Sequence, residues 1–217
     1  PDGAVVEALA RNHVFHLDTV ILTHLHADHA GGLEDVLGVT SVGMVVVPEG
    51  TDTTSIAPGT HVEELCYGDT LSVGRFALRA VSPVEPSGGE GNEGSLELFL
   101  TFSDGIRTLT GLLAADAERE ETGAALERGD VGDIDFLKVG HHGSEVSVTP
   151  EIARALMPEV SVASAGEGNS YGHPDPVCVA MLEDVGSVFL CTKDVGDVTV
   201  EPGAEGPNVS CQREEGS

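Results

Sequence analysis

Apolar residues recur at helical spacing over residues 4–14 (AVVEALARNHV), which predicts an amphipathic first helix. Leu17 to Thr23 (LDTVILT) is a short β-branched run and reads as a buried strand, stopped by the polar cluster HLHADHAGG. Gly31 to Leu37 follows as a candidate helix. Strands then dominate, with GMVVVP at 43–48, HVEELCYG at 61–68 and the alternating TLSVGRFALRAVSP at 70–83. The segment 85–94 (EPSGGEGNEG) carries Gly, Pro and charge without periodicity and is the clearest loop. Two strands, SLELFLTF at 95–102 and IRTLTGLLAAD at 106–116, precede a helix at 117–127, the strand DFLKVG at 135–140 and a polar HHGS. The remainder reads as helix 149–157, strand 160–164, loop 165–173, helix 176–184 and strands 187–192 and 195–200. From Glu201 the pattern fades, so one domain is expected over 1–200 and a flexible tail over 201–217.

Strands in two groups, each followed by helix–strand units, predict two sheets packed face to face with helices outside, an αββα sandwich. The 217 residues, 40% of them hydrophobic, suit a single domain with a buried core. Twenty-eight Gly and eleven Pro imply many tight turns and little long helix. No stretch approaches the roughly 18 apolar residues of a membrane span. Cys66, Cys178, Cys191 and Cys211 are widely spaced and form no CxxC, which excludes a zinc ribbon or a thioredoxin-like pair. Free thiols are expected, with one disulfide left open. The chain starts at Pro1 without a charged stretch and apolar h-region, and reads as a fragment.

Charge changes the picture of the partners. Thirty-seven Asp and Glu against ten Lys and Arg give a net charge of -27, which argues against a basic nucleic-acid-binding surface. Lysine is almost absent, with only Lys138 and Lys193. Two readings follow: a very soluble acidic surface, or a halophile's surface whose self-repulsion salt screens, the Debye length falling to about 3 Å at 1 M.

Candidate chemistry concentrates in Thr23-His24-Leu25-His26-Ala27-Asp28-His29-Ala30-Gly31-Gly32. Imidazole and carboxylate are the ligands of zinc and manganese sites, and here three His and one Asp fall within six residues after a strand. His24 and His26, two apart on extended backbone, point the same way; Asp28 and His29 face a second position after a turn. One cluster cannot close two metal shells, so ligands from other strand ends are expected. Asp116 ends an apolar strand, where a lone acid is costly unless paired or coordinated. His141 and His142 end the strand DFLKVG, and His173 lies in the loop GEGNSYGHPDP. Sites on α/β folds gather at such carboxyl ends of strands. His13, His16 and His61 lack suitable neighbours and read as ordinary surface or core histidines.

HLHADHAGG resembles the HxHxDH signature of the metallo-β-lactamase superfamily. LLAADAE, FLKVGHHGS and GNSYGHPDP, in that order, resemble the competence-protein (ComEC) type hydrolase domain over roughly residues 10–200. The resemblance implies the αββα fold, two divalent metal ions (zinc or manganese) and hydrolysis of phosphodiester bonds by a hydroxide shared between the ions. Relatives include DNA-degrading domains attached to DNA-uptake channels and teichoic-acid phosphorylcholine esterases. Carried over by position, His24 and His26 hold the first metal, Asp28 and His29 the second, Asp116 bridges them and His173 completes the second shell. His142 is assigned to the first metal. His141, with Lys138 nearby, is left to contact the phosphate or protonate the leaving group, although the two histidines could exchange roles. Asp28, His141 and Lys138 are thus the catalytic candidates.

Three departures stand out. Asn92 and Ser95 occupy the region where the broad superfamily carries a further His. Ala114-Ala115 replaces Thr-Gly before the bridging Asp, a strain if φ must be positive. The superfamily's opening strands are expected before Pro1. Single-stranded DNA or RNA is the favoured substrate, with a smaller phosphodiester or a thioester next, and a β-lactam less so. A non-catalytic metal-binding module scaffolding a membrane channel is the reading from another class. The expected location is the cytoplasm or the outer face of the cytoplasmic membrane; oligomeric state is not legible.

Overall fold

The run Val45-Val46-Val47 shows how the layers assemble. Successive side chains of a strand point to opposite faces, and all three valines are buried. Val46 packs with Leu65, Ala80, Leu96 and Leu98, whereas Val45 and Val47 pack with Leu22, Leu33, Leu37 and Ile56. The strand is therefore covered on both sides, by a second sheet and by helices, which is why it reads as an unbroken apolar run.

The structure is a computed structural model that describes residues 3–213. After helix α1 (Ala4–Arg11), strands β1 (His16–Ile21), β2 (Ser41–Pro48) and β3 (Val62–Leu65) form a parallel three-stranded sheet in that order. Helices α2 (Ala27–Ala30) and α3 (Leu33–Val39) connect β1 to β2. The larger sheet contains β4 (Thr70–Val73), β5 (Phe76–Ser82), β6 (Glu97–Ser103), β7 (Thr108–Leu113), β8 (Phe136–Lys138), β9 (Val160–Ala163) and β10 (Val188–Cys191). Their order is β10-β9-β8-β7-β6-β5-β4, antiparallel from β4 to β7 and parallel from β7 to β10. Helices α4 (Arg119–Arg128), α5 (Pro150–Leu156) and α6 (Pro176–Glu183) make the parallel crossovers. They cover the outer face through Ala125, Ile152, Leu156, Cys178 and Leu182 against Leu112, Leu137 and Val139. The inner faces of the two sheets meet at the Val46 cluster, which gives the expected αββα order of layers.

Two differences from the sequence reading have local causes. The alternating stretch 70–83 is two strands, turned at Gly74 with φ +59, because alternation of apolar and polar residues continues straight through a tight turn. Residues from 201 onward are not simply a frayed end: after α7 (Thr192–Val195), β11 (Val198–Pro202) pairs antiparallel with β12 (Pro207–Cys211). Val198, Val200 and Cys211 seat this hairpin on Val160, Val162 and Leu190. The last four residues of the expected tail lie outside the described residues. All four cysteines are free thiols, which closes the disulfide alternative. No helix among the described residues is long and apolar enough to cross a membrane.

Glu97 sits fully buried at the start of β6. Thr122 donates to its Oε1 at 2.6 Å, while Oε2 has no hydrogen-bond partner among the described residues. Burial pushes its carboxyl up from an ordinary value of 4.5 to about 7, the Thr122 hydroxyl only partly opposing this. Below pH 4.5 the acid is neutral in folded and unfolded chains alike and carries no penalty. As pH rises towards 7 the unfolded chain ionises first, so stability falls, by roughly 3 kcal/mol once both are charged. Glu97→Gln is expected to add about 2–3 kcal/mol at pH 8 and little near pH 4.5, read by urea unfolding. An equal gain at both pH values would reject the ionisation account.

Candidate metal centre

The candidate residues all leave strands at one end of the sandwich. The first polar loop follows β1 and is tied across to the larger sheet, since Leu96 N–H donates to the Thr23 carbonyl at 2.8 Å and Leu25 N–H to the Gly89 carbonyl at 3.0 Å. Gly89 allows this approach, because a Cβ there would lie 3.4 Å from His24 Cα and φ is +71. Asp116 follows β7, the strand at which the large sheet changes from antiparallel to parallel. His141 and His142 follow β8 in a Gly-His-His-Gly turn. Gly140 is required because a Cβ would run into the Ala117 carbonyl oxygen, and Gly143 combines φ +82 with a Cβ position 2.8 Å from Pro174. His141 and His142 between them are themselves left-handed, with φ 42 and φ 56.

These loops bring six of the candidate residues together as two donor groups that share Asp116. One holds His24, His26 and Asp116; the other holds Asp28, His29, Asp116 and His142, with one donor atom per residue all within 4.8 Å of one another. His24 Nε2 lies 3.1 Å from His26 Nδ1 and 3.7 Å from Asp116 Oδ2. His29 Nε2 lies 3.1 Å from Asp116 Oδ1 and 3.3 Å from His142 Nε2, and His142 Nε2 is 3.4 Å from Asp28 Oδ2.

The protonation states suit cation binding. His142 Nδ1 lies 2.8 Å from the Ser164 carbonyl, which can only accept, so the proton sits on Nδ1 and Nε2 presents its lone pair to the group. His24 is fully buried, and burial, with His29 nearby, lowers its pKa to about 4, leaving it neutral at pH 7. Burial pushes Asp116 up, but the imidazoles of His29, His142 and His24 outweigh it and hold the acid at about 2. Asp116 is 3% exposed, and its Oδ1 has no aligned hydrogen-bond donor among the described residues. A buried anionic oxygen without a donor, among imidazole nitrogens facing one another at 3.1–3.3 Å, fits divalent cations held by N and O ligands.

Other expected placements differ. His142 approaches Asp28 and His29, not His24 and His26 as the sequence reading assigned. His173 joins neither group; its ring centroid is 5.8 Å from that of His141, and both line the same cavity. Lys138 does not line the cavity: its Nζ donates to the Val139 carbonyl at 2.9 Å, and burial lowers its pKa to about 8 against the pull of Asp116. His141 stands outside both groups, with Nδ1 3.3 Å from Glu118 Oε1 and 3.4 Å from Asn92 Nδ2. Asn92 in turn donates to Glu118 Oε1 at 3.1 Å. Glu118 was not legible as a site residue; its signal is the spacing Asp116-Ala117-Glu118, which sets a second acid at the N-terminal cap of α4. His26, Asp28, Asn92, Asp116, His141, His142, Tyr171 and His173 line one cavity of about 400 Å³. His13, His16 and His61 lie outside both groups, as expected.

The sequence profile of the metallo-beta-lactamase superfamily matches residues 3–167, about three quarters of the chain. The chain belongs to the metallo-beta-lactamase superfamily. Among curated superfamily relatives, ComE operon protein 3 of Bacillus subtilis is 30% identical over 191 residues, covering 84% of this chain and 24% of that protein. Competence protein ComA of Neisseria gonorrhoeae is 28% identical over 171 residues, covering 78% of this chain and 23% of that protein. The chain thus spans about a quarter of the length of these relatives. Among solved structures, CmlA, a diiron beta-hydroxylase from Streptomyces venezuelae, superposes with a TM-score of 0.56 at 20% identity, covering 81% of this chain and 43% of that one, and shows the shared fold.

Against the superfamily pattern, no third imidazole joins His24 and His26 among the described residues; Asn92 faces the cavity instead. The Ala-for-Gly departure is real strain: Ala115 has φ 50, and its carbonyl accepts from His141 N–H at 2.9 Å. A left-handed L-residue costs about 1–2 kcal/mol, so Ala115→Gly is expected to raise stability by about 1 kcal/mol in urea unfolding with metal content unchanged. Loss of stability would show that the position is relaxed. Asp116→Asn keeps the shape but removes the shared charge. It is expected to lower divalent-metal affinity more than about tenfold in both groups, read as metal equivalents by mass spectrometry after dialysis; retention of full metal content would overturn the shared role of Asp116.

Proposed function

We propose that this domain is a metal-dependent phosphodiesterase that acts on nucleic acid, with single-stranded DNA the favoured substrate and two divalent ions, zinc or manganese, as cofactors. The observation that carries the reading is the pair of donor groups sharing one buried carboxylate. His24, His26 and Asp116 would hold one ion; Asp28, His29, His142 and Asp116 would hold the other. Such ions supply Lewis acidity and bring the pKa of water down to about 7. The chain's own part is positional. Asp116 fixes both groups in one frame, the Ser164 carbonyl orients His142, and Glu118 with Asn92 aims His141 into the cavity where a phosphoryl oxygen or leaving group would lie.

The names of the relatives support a role in handling DNA: one is ComE operon protein 3, one is called a competence protein and a third a recombination protein. Association with a membrane channel and a place at the cytoplasmic membrane belong to the same reading. A second reading, a small phosphodiester, is favoured by the cavity walls. No Lys or Arg lines the cavity, and the neighbouring one carries Glu93, Glu118, Glu120 and Glu121, a poor surface for a long polyanion.

The test is hydrolysis of bis(p-nitrophenyl) phosphate by protein of measured metal content, with Asp116→Asn as control. Chelator-sensitive turnover, restored by zinc or manganese and lost in the control by at least about a hundredfold, is expected for removal of a group that orders the metals. Full metal content without turnover on any diester would favour the non-catalytic scaffold.

A further inference from the structure

The chain has two tyrosines and no tryptophan, and the two tyrosines are used in opposite ways. Tyr67 is committed to the fold: its hydroxyl lies 3.1 Å from each carboxylate oxygen of Asp130, and its ring carries the Arg128 guanidinium at 5.2 Å. Tyr171 is 84% exposed, and its hydroxyl makes no hydrogen bond among the described residues. It nevertheless lines the cavity that holds Asp28, Asp116 and His142, with its ring parallel to that of His173, at 9° and 5.9 Å between centroids.

The loop that presents this ring is pinned. Asn169 closes it from both sides, its Oδ1 accepting from His173 N–H at 2.9 Å while its Nδ2 donates to the His173 carbonyl at 3.0 Å. Lys193 Nζ donates to the same carbonyl at 3.1 Å, and Gly172 turns the backbone with φ +79. The backbone that carries Tyr171 is thus held beside the donor groups, and the ring lies parallel to His173, 5.9 Å away between centroids, with most of its surface open. Preorganisation of this kind spares a ligand the entropy of ordering its partner, and a flat π-system is what such a face binds best.

We propose that Tyr171 is a stacking platform for a nucleobase attached next to the scissile phosphate, and so a specificity residue that selects nucleotide-bearing diesters over aliphatic ones. This rests on the phosphodiesterase reading and deepens it. Stacking also answers the electrostatic difficulty, because it is sequence-tolerant and needs no cationic groove.

The test is titration calorimetry of the metal-loaded protein with deoxyguanosine 5′-monophosphate and with 2-deoxyribose 5-phosphate, which lacks the base. Wild type is expected to bind the nucleotide about tenfold more tightly than the sugar phosphate. Tyr171→Phe should keep that preference, and Tyr171→Ala should reduce it to about twofold or less without changing sugar-phosphate affinity. Equal affinity for the two ligands in wild type, no nucleotide binding, or equal weakening of both by Tyr171→Ala would overturn the proposal. Bis(p-nitrophenyl) phosphate turnover in the same samples separates the two claims. Turnover without base preference removes the platform and leaves the phosphodiesterase; base preference without turnover does the reverse.

Discussion

A single carboxylate governs this end of the molecule. Asp116 is buried at the tip of an apolar strand, where an unpaired charge would not persist. Its compensation comes from three imidazoles on loops of both sheets: His24 and His29 after β1, His142 after β8. The inner faces of the two sheets pack through apolar side chains, and at the site end this polar cluster joins loops of both, beside the backbone hydrogen bonds of Leu96 to Thr23 and Leu25 to Gly89. The dependence runs both ways. Without the carboxylate the imidazole nitrogens face one another with no common partner; without the imidazoles the carboxylate is stranded. At neutral pH the balance leaves Asp116 ionised and His24 neutral, the forms in which each can ligate a cation.

Backbone strain follows the same geography. Ala115, His141 and His142 are left-handed residues without the freedom of glycine, and they occupy adjacent strand tips joined by the hydrogen bond from His141 N–H to the Ala115 carbonyl. Relaxing either turn would swing a donor out of its group. Strain held in this way persists only where surrounding structure over-determines it. Gly140 and Gly143 flank the strained pair where a side chain would run into Ala117 and Pro174.

The layers were legible because short apolar runs such as 43–48 and 106–116, bounded by polar loops, reveal buried strands, and the His-Asp cluster because four donors in six residues have few other uses. What escaped depends on three dimensions. Spacing along the chain could not say which group His142 would join, since its place rests on the left-handed turn after β8 and on the contact of its Nδ1 with the Ser164 carbonyl. Glu118 and Tyr171 look like ordinary cap and loop residues until the fold sets Tyr171 on the cavity wall and Glu118 against His141 and Asn92. Of the final hairpin, β11 overlaps the strand expected at 195–200, while β12 fell in the expected tail; packing on Val160, Val162 and Leu190 holds the hairpin in place.

Charge and site have to be reconciled. A net charge of -27 repels a polyanion at long range, and at about 0.15 M salt that repulsion still extends some 8 Å. In molar salt the range shrinks to about 3 Å, and the usual electrostatic attraction of cationic grooves for DNA fades as well. Under either condition no long-range steering brings a nucleic acid to this cavity. On the proposed reading recognition is then local, from groups in contact with the ligand: ions that the shared donor groups would hold, His141, and the exposed face of Tyr171. A site built on contact forces alone suits a short segment of substrate better than an extended strand, unless another part of a longer assembly delivers that strand to it.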